Sequence, residues 1–419
     1  MPNTRPERST GLRRVVAVAL VLPALLAAGC GKGSPDGPRI IRVAADDPSI
    51  QDAVDAARPG DLVLIAPGTY HEAVVVDTDQ IVIRGEDRND VVLDGQDRLS
   101  NGFEIRSDQV VIENLTVRHY TVNGVIFTGS YDEQRPQNGP IGWRASYVTV
   151  LNNGLYGLYA FGTGPGQFDH NYASGHPDSG IYVGQCEDCG AVVIDNVMEL
   201  NAIGYENTNA SGVTVARNII RHNRVGVTIA SADSEYLAPQ VGGDIVANLV
   251  TDNDDPDAPV TEGGFGFGIV VAGGTDNRID RNVITDHDGG GILLIDQAGY
   301  QPQDNHVTNN TLSANRIDLA FVAESGGEPT GTGNCFSDNR SDTSAPPDLE
   351  ILLPCGEPST STVPPAELAF TQPPGSVDYR QVTEPGDQPN RPGRPDGRWE
   401  PGSLRPQAPS LDQLTAPTG

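Results

Sequence analysis

A short apolar segment recurs after a glycine along the middle of the chain, and its second residue varies between aliphatic, aromatic and acidic types. The first and third residues are mostly aliphatic, so alternation along a strand directs them inward and the second residue outward. An aromatic face suits the apolar face of a pyranose ring, and a carboxylate can bind its hydroxyls. Stacked in register, these residues would form one outward column, Ile126, Tyr159, Tyr182, Glu206, Thr228, Val270 and Leu293.

The loop before Tyr182, DHNYASGHPDSG, adds groups that can transfer protons. His176 and Asp178 are two residues apart, and an imidazole oriented by a carboxylate is a suitable general base. We therefore take Tyr159, Tyr182 and Glu206 as candidate substrate-binding residues. The candidate catalytic residues are His176 as proton acceptor, Asp178 as its partner and Tyr182 as proton donor. The alternative is a row of exposed tyrosines that only stabilises a sheet.

Four cysteines follow the N-terminal region as two pairs, Cys186 with Cys189 and Cys335 with Cys355. In an exported protein such pairs form structural disulfides. A zinc site would need two further ligands near the first pair, so we predict no metal site and no obligatory cofactor. The acidic segment DNDDPD at 252–257 could hold calcium through its oxygen atoms, although a solvated acidic loop has the same composition.

The charge of the chain restricts its partners. The formal net charge is −29 over 419 residues, which disfavours DNA, RNA and anionic membrane surfaces. The same charge disfavours polyanionic sugars such as polyuronates unless a cation bridges them. Lys32 is the only lysine, and it precedes the repeated segments. Lysine-based catalysis is therefore excluded in the repetitive region.

The recurring segments are spaced along the chain as in a fold built from stacked repeats. Asparagines precede them at spacings of 25, 22, 30, 34, 28 and 24 residues, and such periods indicate stacked repeats. In a parallel β-helix each repeat makes one coil, and asparagines of successive coils form a hydrogen-bonded ladder. We expect the glycine of each repeat to supply the backbone angles of a corner. The predicted ladder is Asn171, Asn196, Asn218, Asn248, Asn282, Asn310 and Asn334.

The segment before the repeats predicts one short helix and then several strands. The helix should begin near Asp47, place an apolar stripe from Ile50 to Ala57 on the core and cap the stack. This helix, the following PGDLVLIAPGTYHEAVVV and the Asn/Gly coils resemble right-handed parallel β-helix proteins of the pectin-lyase-like superfamily. The resemblance implies an all-β, right-handed parallel β-helix over 40–355. That superfamily includes lyases, hydrolases, esterases, epimerases and non-catalytic periplasmic proteins, so it selects no activity.

Both ends of the chain differ from the repeats. A basic N-terminus and an apolar run lead to LLAAGC, which resembles a bacterial lipoprotein signal. The resemblance implies removal of 1–29, lipidation of Cys30 and a lipid anchor on the extracytoplasmic face of the bacterial membrane. An ordinary secretory signal is the alternative. Residues 30–39 read as a linker, and 356–419, with 13 prolines, as a disordered tail.

These features together predict an exported β-helix that contacts carbohydrate. If the protein is an enzyme, it is a polysaccharide lyase, epimerase or hydrolase. The alternative is a non-catalytic scaffold of the cell envelope, or an accessory protein such as those that serve periplasmic copper enzymes. Copper handling requires soft ligands, and the repetitive region offers four cysteines in expected disulfides and one methionine, Met198. This shortage of soft ligands argues against the copper alternative.

Overall fold

The computed structural model describes residues 37–44, 49–130, 132–261, 263–322, 331–356, 373–397 and 409–418. The predicted signal at 1–29, Cys30 and most of the linker lie outside these residues. Within the described ranges, no helix combines the length and the apolar composition that a membrane span requires.

The chain winds through three ribbons of short parallel strands. The first ribbon contains β1 (Ile40–Val43), β2 (Leu62–Ile65), β5 (Val82–Gly85), β8 (Val111–Arg118), β10 (Trp143–Leu151), β12 (Gly166–Asp169), β15 (Val192–Ile194), β18 (Val213–Ala216), β21 (Gly243–Val246), β24 (Arg278–Asp280), β27 (His306–Thr308) and β30 (Cys335–Ser337). The second contains β3 (Gly68–Tyr70), β6 (Val91–Asp94), β13 (Tyr172–Ser174), β16 (Val197–Glu199), β19 (Ile219–Arg221), β22 (Leu249–Thr251), β25 (Val283–Thr285) and β28 (Thr311–Ser313). The long strands β8 and β10 pair in both ribbons and join them into one 20-stranded sheet.

The third ribbon is a separate sheet of 11 strands. It contains β4 (Val74–Val76), β7 (Asn101–Ile105), β9 (Asn123–Thr128), β11 (Tyr156–Phe161), β14 (Ser179–Cys186), β17 (Ile203–Ala210), β20 (Val225–Ala230), β23 (Phe267–Ala272), β26 (Gly290–Ile295), β29 (Leu319–Val322) and β31 (Ser344–Ala345). Each strand pairs in parallel with its counterpart in the next coil, for example β11 with β14 and β14 with β17. The prediction of an all-β, right-handed parallel β-helix is confirmed.

The register of the third ribbon separates interior from exterior side chains. Leu158 pairs with Ile181, and both are fully buried in the core. Tyr159 pairs with Tyr182, and Tyr182 pairs with Glu206. Because side chains alternate along a strand, this second set faces outward. The predicted outward column is therefore confirmed, and it continues through Thr228, Val270 and Leu293.

A ladder of asparagine side chains runs along one interior corner. At each step the later Oδ1 accepts hydrogen bonds from the backbone N–H and the Nδ2 of the earlier asparagine. Asn196, for example, donates both bonds to Asn218 Oδ1 at 3.0 Å, and its Nδ2 also donates to the Phe168 carbonyl. The ladder satisfies backbone and side-chain groups that are closed off from water. Its members are Asn171, Asn196, Asn218, Asn248, Asn282, Asn310 and Asn339.

The last member of this ladder differs from the prediction. Asn310 donates to Asn339 Oδ1, at 3.0 Å from its backbone nitrogen. The predicted member, Asn334, instead accepts from Asn305 in a separate row. The prediction was wrong because Asn334 and Asn339 each precede a short segment of the same coil. Sequence spacing alone does not show which corner of the coil each asparagine occupies.

A second ladder occupies another interior corner and contains two histidines. Asn153 Nδ2 lies 3.2 Å from His176 Nε2, and His176 Nδ1 lies 2.7 Å from Asn201 Oδ1. His287 has the same arrangement between Asn253 and its neighbour one coil later. Each histidine thus substitutes for an asparagine in the row Asn153, His176, Asn201, Asn223, Asn253, His287 and Asn315.

The glycines that precede the apolar segment of each repeat stack as a column, and their role differs from the one we predicted. A Cβ on Gly157 would lie 2.5 Å from the Gly180 carbonyl oxygen, and one on Gly226 would lie 2.5 Å from the Gly268 carbonyl oxygen. These glycines do not have positive φ; the residues that do include those directly before the ladder asparagines, such as Asp195 and its counterparts. The column therefore permits coils to stack closely, and other residues make the corners.

Short helices and a disulfide close the stack at its two ends. Helix α1 (Ile50–Asp55) follows the N-cap Ser49, whose Oγ accepts from the Asp52 N–H at 3.0 Å. The predicted start at Asp47 lies outside the described residues. At the other end, Glu350 in α2 (Leu349–Leu352) accepts two hydrogen bonds from the last ladder residue. Both predicted disulfides are present, Cys186–Cys189 and Cys335–Cys355.

Two segments of the proline-rich tail, 373–397 and 409–418, lie against the β-helix. The Arg88 guanidinium, 2% exposed, donates to the Pro389 carbonyl at 3.0 Å. Arg84 donates in the same way to the carbonyls of Pro395 and Gly397. The prediction of a disordered tail at 356–419 is therefore wrong for these segments. An extended proline-rich backbone leaves its carbonyls free, and buried guanidinium groups need such acceptors.

We expect truncation after Gly356 to destabilise the β-helix. The removed segments accept hydrogen bonds from the guanidinium groups of Arg84, Arg88 and Arg224, and exchange of one such charged hydrogen bond for a bond to water costs about 1.5–3 kcal/mol. The free energy of unfolding should fall by about 3 kcal/mol or more, measured by urea denaturation.

The matched control is Arg394→Ala in the full chain, because the Arg394 side chain is 84% exposed and contacts Asp396 within the tail itself. This variant should unfold at the wild-type urea concentration. A truncated protein with wild-type stability would show that the tail contacts contribute nothing.

Candidate functional site

A groove of about 670 Å³ lies on the outer face of the third ribbon. Its floor contains outward residues of β20, β23 and β26, which are Thr228, Val270 and Leu293. Residues of the loops 231–242, 252–266 and 296–305 form its edges. Tyr156, Tyr182 and Glu206 also line it. The groove therefore has an apolar floor and a cluster of aromatic and acidic side chains.

Three tyrosines pack together in this cluster. The rings of Tyr159 and Tyr182 stack with centroids 4.7 Å apart and planes 16° apart. Tyr156 lies 4.5 Å from the first ring and 5.0 Å from the second. Tyr182 is only 4% exposed, so the expectation that both Tyr159 and Tyr182 are exposed is wrong for Tyr182. Tyr156 and Tyr182 line the groove, while Tyr159 supports Tyr182 by stacking.

Two carboxyl groups meet beside the tyrosines. The Ser179 hydroxyl is within hydrogen-bond distance of Asp178 Oδ1 and Glu206 Oε2, and Thr208 Oγ1 donates to Glu206 Oε1 at 3.0 Å. Burial, and then the nearby negative charge of Asp178, raise the pKa of Glu206 to about 8. Near neutral pH Glu206 therefore holds a proton, and it can act as a hydrogen-bond donor or as an acid.

Glu235, in the loop 231–242, is a site residue that the sequence did not reveal. Its Oε1 accepts a hydrogen bond from the Tyr182 hydroxyl. Its Oε2 is buried and has no hydrogen-bond partner in the described part of the chain. Burial raises the pKa of Glu235 to about 7, although the Tyr182 hydrogen bond opposes this shift. Glu235 lies in an insertion outside the repeat phase, so only the folded chain places it over Tyr182.

The structure does not place His176 in the groove. His176 is fully buried in the second ladder, where one ring nitrogen accepts from Asn153 and the other donates to Asn201. Burial lowers its pKa to about 4. The expectation that it lies in an accessible loop is therefore corrected, because both ring nitrogens already serve the ladder. Asp178, two residues later, pairs with Glu206 rather than orienting this imidazole.

The electrostatic character of the groove is acidic. Of the described residues that line it, Glu206, Glu235 and Asp296 carry carboxyl groups, and none is lysine, arginine or histidine. Within these residues there is no cation to neutralise an anionic ligand. Neutral hydroxyl-rich ligands and ammonium-bearing ligands therefore match the groove better than carboxylated ones.

One cluster in the described chain has the composition of a metal site. The donor atoms of His306, Cys335 and Cys355 all lie within 4.8 Å of one another, although the two sulfurs are joined as a disulfide. In the acidic segment 252–257, Asp254 and Asp255 accept hydrogen bonds from backbone N–H groups of Asp288 and Asp257. Calcium binding by that segment stays a prediction.

The sequence of residues 74–348 matches the family model described as "Periplasmic copper-binding protein (NosD)". The chain belongs to this NosD family. Its members are described as periplasmic, in agreement with the expected extracytoplasmic location. No curated protein sequence matches the chain.

Solved structures share the fold at low sequence identity. A mannuronic acid specific polysaccharide family 6 lyase from human gut microbiota is 13% identical, over 72% of this chain and 79% of its own, with a TM-score of 0.51. The Azotobacter vinelandii mannuronan C-5 epimerase AlgE6 A-module is 15% identical, over 72% and 88%, with a TM-score of 0.49. The pectate lyase Pel9A is 16% identical, over 74% and 78%, with a TM-score of 0.41. At this identity the comparison concerns the fold alone.

The buried histidine predicts a pH dependence of stability. Because the folded state lowers the pKa of His176 from 6.5 to about 4, its contribution is present above pH 6.5 and lost as pH falls through about 4. His176→Asn restores the residue type of the ladder. Between about pH 7 and pH 4, the free energy of unfolding of wild type should fall by about 2–3 kcal/mol more than that of the variant. Urea denaturation at each pH measures this difference.

His222→Asn is the control, because the His222 side chain is 47% exposed. It should follow the wild-type pH profile. Identical profiles for wild type and His176→Asn would show that His176 is not held neutral by the ladder.

Glu206 predicts the opposite pH dependence. Its folded-state pKa of about 8 lies above the ordinary value of 4.5, so its stabilising contribution is complete below about pH 4.5 and is lost as pH rises through about 8. Glu206→Gln keeps a neutral side chain of the same shape. The free energy of unfolding of Glu206→Gln minus that of wild type should therefore increase by about 1 kcal/mol or more between about pH 5 and pH 9.

The exposed Glu187 provides the control for this measurement. Glu187→Gln should leave the pH profile of unfolding unchanged. A Glu206→Gln profile parallel to that of wild type would mean that Glu206 titrates as an ordinary surface carboxyl.

Proposed function

We propose that the groove binds a neutral or amino-bearing polysaccharide outside the cytoplasm. The observation that carries this proposal is the presence of Tyr156, Tyr182 and the carboxyl group of Glu206 along one groove, and burial that raises the pKa of Glu206 supports it. Aromatic rings pack against the apolar faces of sugars, and the carboxyl groups bind hydroxyls. The apolar floor, with Val270 and Leu293, extends the contact beyond one sugar unit.

The charge of the groove supports neutral or cationic sugars over uronates. Glu206, Glu235 and Asp296 line it without a described cation, and the whole chain carries a net charge of −29. A uronate polymer would bring a carboxylate on each residue into this field. The lyase named above is described as specific for mannuronic acid, and the groove of this chain favours a different class of sugar.

The reaction that these groups support best is glycoside hydrolysis. Hydrolysis uses a protonated carboxyl to donate a proton to the glycosidic oxygen, and a second carboxyl on the other side of the bond. We assign Glu206 as the acid and Glu235 as the second carboxyl. Elimination and epimerisation develop negative charge beside a carboxylate and need cationic stabilisation, which the described groove residues do not supply. His176 is excluded from the assignment by its burial.

The proposal also includes export and anchoring. The family description as periplasmic supports an extracytoplasmic location. We retain Cys30 as the lipidated residue, because a glycine-cysteine pair follows the apolar run directly. Anchoring through Cys30 would hold the groove at the membrane surface, where cell-wall and environmental glycans are accessible.

Calorimetric titration with three oligosaccharide classes tests the groove. Neutral and amino-bearing oligosaccharides should bind, and oligomannuronate without divalent cations should not. Tyr156→Ala should weaken binding by about tenfold, because loss of one ring contact is worth about 1.4 kcal/mol. Glu206→Gln should retain binding and abolish the release of new reducing ends.

Tyr147→Ala is the matched control, since Tyr147 stacks on His170 in the first ribbon, with ring centroids 4.6 Å apart. It should bind like wild type. Binding of oligomannuronate without divalent cations would contradict the proposed preference for neutral or cationic sugars. It would leave the groove as a sugar-binding site. No binding of any class, or equal binding by Tyr156→Ala, would refute the groove as a sugar site.

The family description favours copper binding as a second candidate function. Copper prefers thiolate, thioether and imidazole ligands. In the described chain, however, the four cysteines form two disulfides and the Met198 thioether is fully buried. With both disulfides intact these residues do not fit copper.

A further inference from the structure

A buried arginine lies beside one of the loops that edge the groove. Arg224 follows the ladder residue Asn223 and directly precedes β20, and it is only 1% exposed. The charged residues at the same position of later coils, Asp254, Asp288 and Arg316, are half-buried or exposed. A buried guanidinium needs hydrogen-bond acceptors. Contacts that belong to this coil alone must therefore satisfy Arg224.

The Arg224 guanidinium joins the proline-rich tail to that loop. Its Nη2 donates to the Pro374 carbonyl at 2.7 Å, and its Nη1 donates to the Gly375 carbonyl at 3.4 Å. Nη1 also donates to the Ala258 carbonyl at 3.3 Å, and the guanidinium carbon lies 5.1 Å from the centre of the Phe265 ring. These contacts combine charge-assisted hydrogen bonds with a cation–π interaction. One side chain thus binds the tail and two points of the loop.

A second contact from the tail reaches the same loop. The Ser376 hydroxyl accepts from the Val260 N–H at 3.1 Å and lies 3.1 Å from the Val260 carbonyl oxygen. The next residue, Thr261, donates its N–H to the Pro177 carbonyl at 2.6 Å. Pro177 directly precedes Asp178, one of the two carboxyl groups that meet beside the tyrosines. The loop is therefore held between the tail and the segment that carries this carboxyl group.

The part of the loop that is held in this way forms one wall of the groove. We call residues 258–261 and 263–265 the wall segment. Gly263 and Gly264 line the groove, and Gly263 has a φ of +112°, a conformation that glycine adopts readily. Because these two residues have no side chains, the backbone itself is the surface that a ligand would meet. The width of the groove at this wall therefore depends on the contacts that fix the backbone.

We propose that Arg224 and Ser376 are positioning residues of the groove, through which residues 374–376 of the tail hold the wall segment against a bound sugar chain. This inference rests on the proposed function and makes the tail a part of the site. A wall that is already ordered before the ligand arrives lowers the entropy cost of binding. Loss of the tail contacts therefore weakens binding, although neither Arg224 nor Ser376 lines the groove.

Amide hydrogen exchange of the full chain tests whether the tail holds the wall segment. In Ser376→Ala the Val260 amide should exchange about fivefold faster, because it loses one hydrogen bond. Arg224→Gln should accelerate exchange across the wall segment by about tenfold or more, because charged hydrogen bonds are lost. Ser410→Ala is the matched control, since Ser410 is exposed in the other tail segment and its side chain caps no backbone group. This control should exchange like wild type.

Calorimetric titration of the same proteins tests the effect on binding, with cellohexaose as the neutral probe and a glucosamine hexamer as the amino-bearing probe. The affinity should fall by about threefold in Ser376→Ala and by about tenfold in Arg224→Gln, because the wall must be ordered on binding. Arg224→Lys keeps a charged donor without the planar guanidinium and should lie between wild type and Arg224→Gln. Urea denaturation establishes that each variant is folded under the binding conditions, where a loss of stability alone leaves the affinity unchanged.

The two measurements separate this inference from the proposed function. Faster exchange of the wall segment with unchanged affinity would overturn the role of the tail in binding and leave the groove as a sugar site. Unchanged exchange in both Ser376→Ala and Arg224→Gln would show that the tail does not hold the wall. If wild type binds neither probe, the proposed function fails, and the exchange rates alone decide whether the tail positions the wall segment.

Discussion

The hydrogen-bonded ladders at the coil corners are the constraint on which the rest of this structure depends. In the first ladder each asparagine side chain satisfies a backbone N–H of the coil before it, as Asn218 does for Asn196, so no coil can shift without exposing buried donors. This fixes the register of all three ribbons. The outward column is a consequence: Tyr159, Tyr182 and Glu206 become neighbours because the residues beside them are locked one above another.

The same constraint explains why a plausible catalytic histidine is part of the scaffold. His176 offers one acceptor and one donor, the same pair that an asparagine side chain offers at this corner. A charged imidazole would present a second N–H to the Asn153 amide, which is already a donor, so the neutral form is required. The titratable acids along the groove are therefore carboxyl groups and not this imidazole. Burial beneath the coils and the loop 231–242 raises the pKa of both Glu206 and Glu235.

The ends and flanks of the solenoid are closed by different means. Helix α1 covers the first coil, and α2 with the Cys335–Cys355 disulfide covers the last. The tail segments cover the buried arginines Arg84 and Arg88. These closures leave open the outer face of the third ribbon, where the groove lies.

The sequence alone determined the fold, because a solenoid repeats one local pattern and each repeat restates the same alternation of inward and outward residues. It therefore predicted the outward column and both disulfides. It assigned Asn334 to the wrong row and made Asp178 the partner of His176, because residues two or five positions apart can occupy different corners. Only the tertiary structure brought Glu235 to Tyr182 and the tail carbonyls to Arg88. Those contacts join segments outside the repeat, and no periodicity in the chain encodes where an insertion or a tail comes to rest.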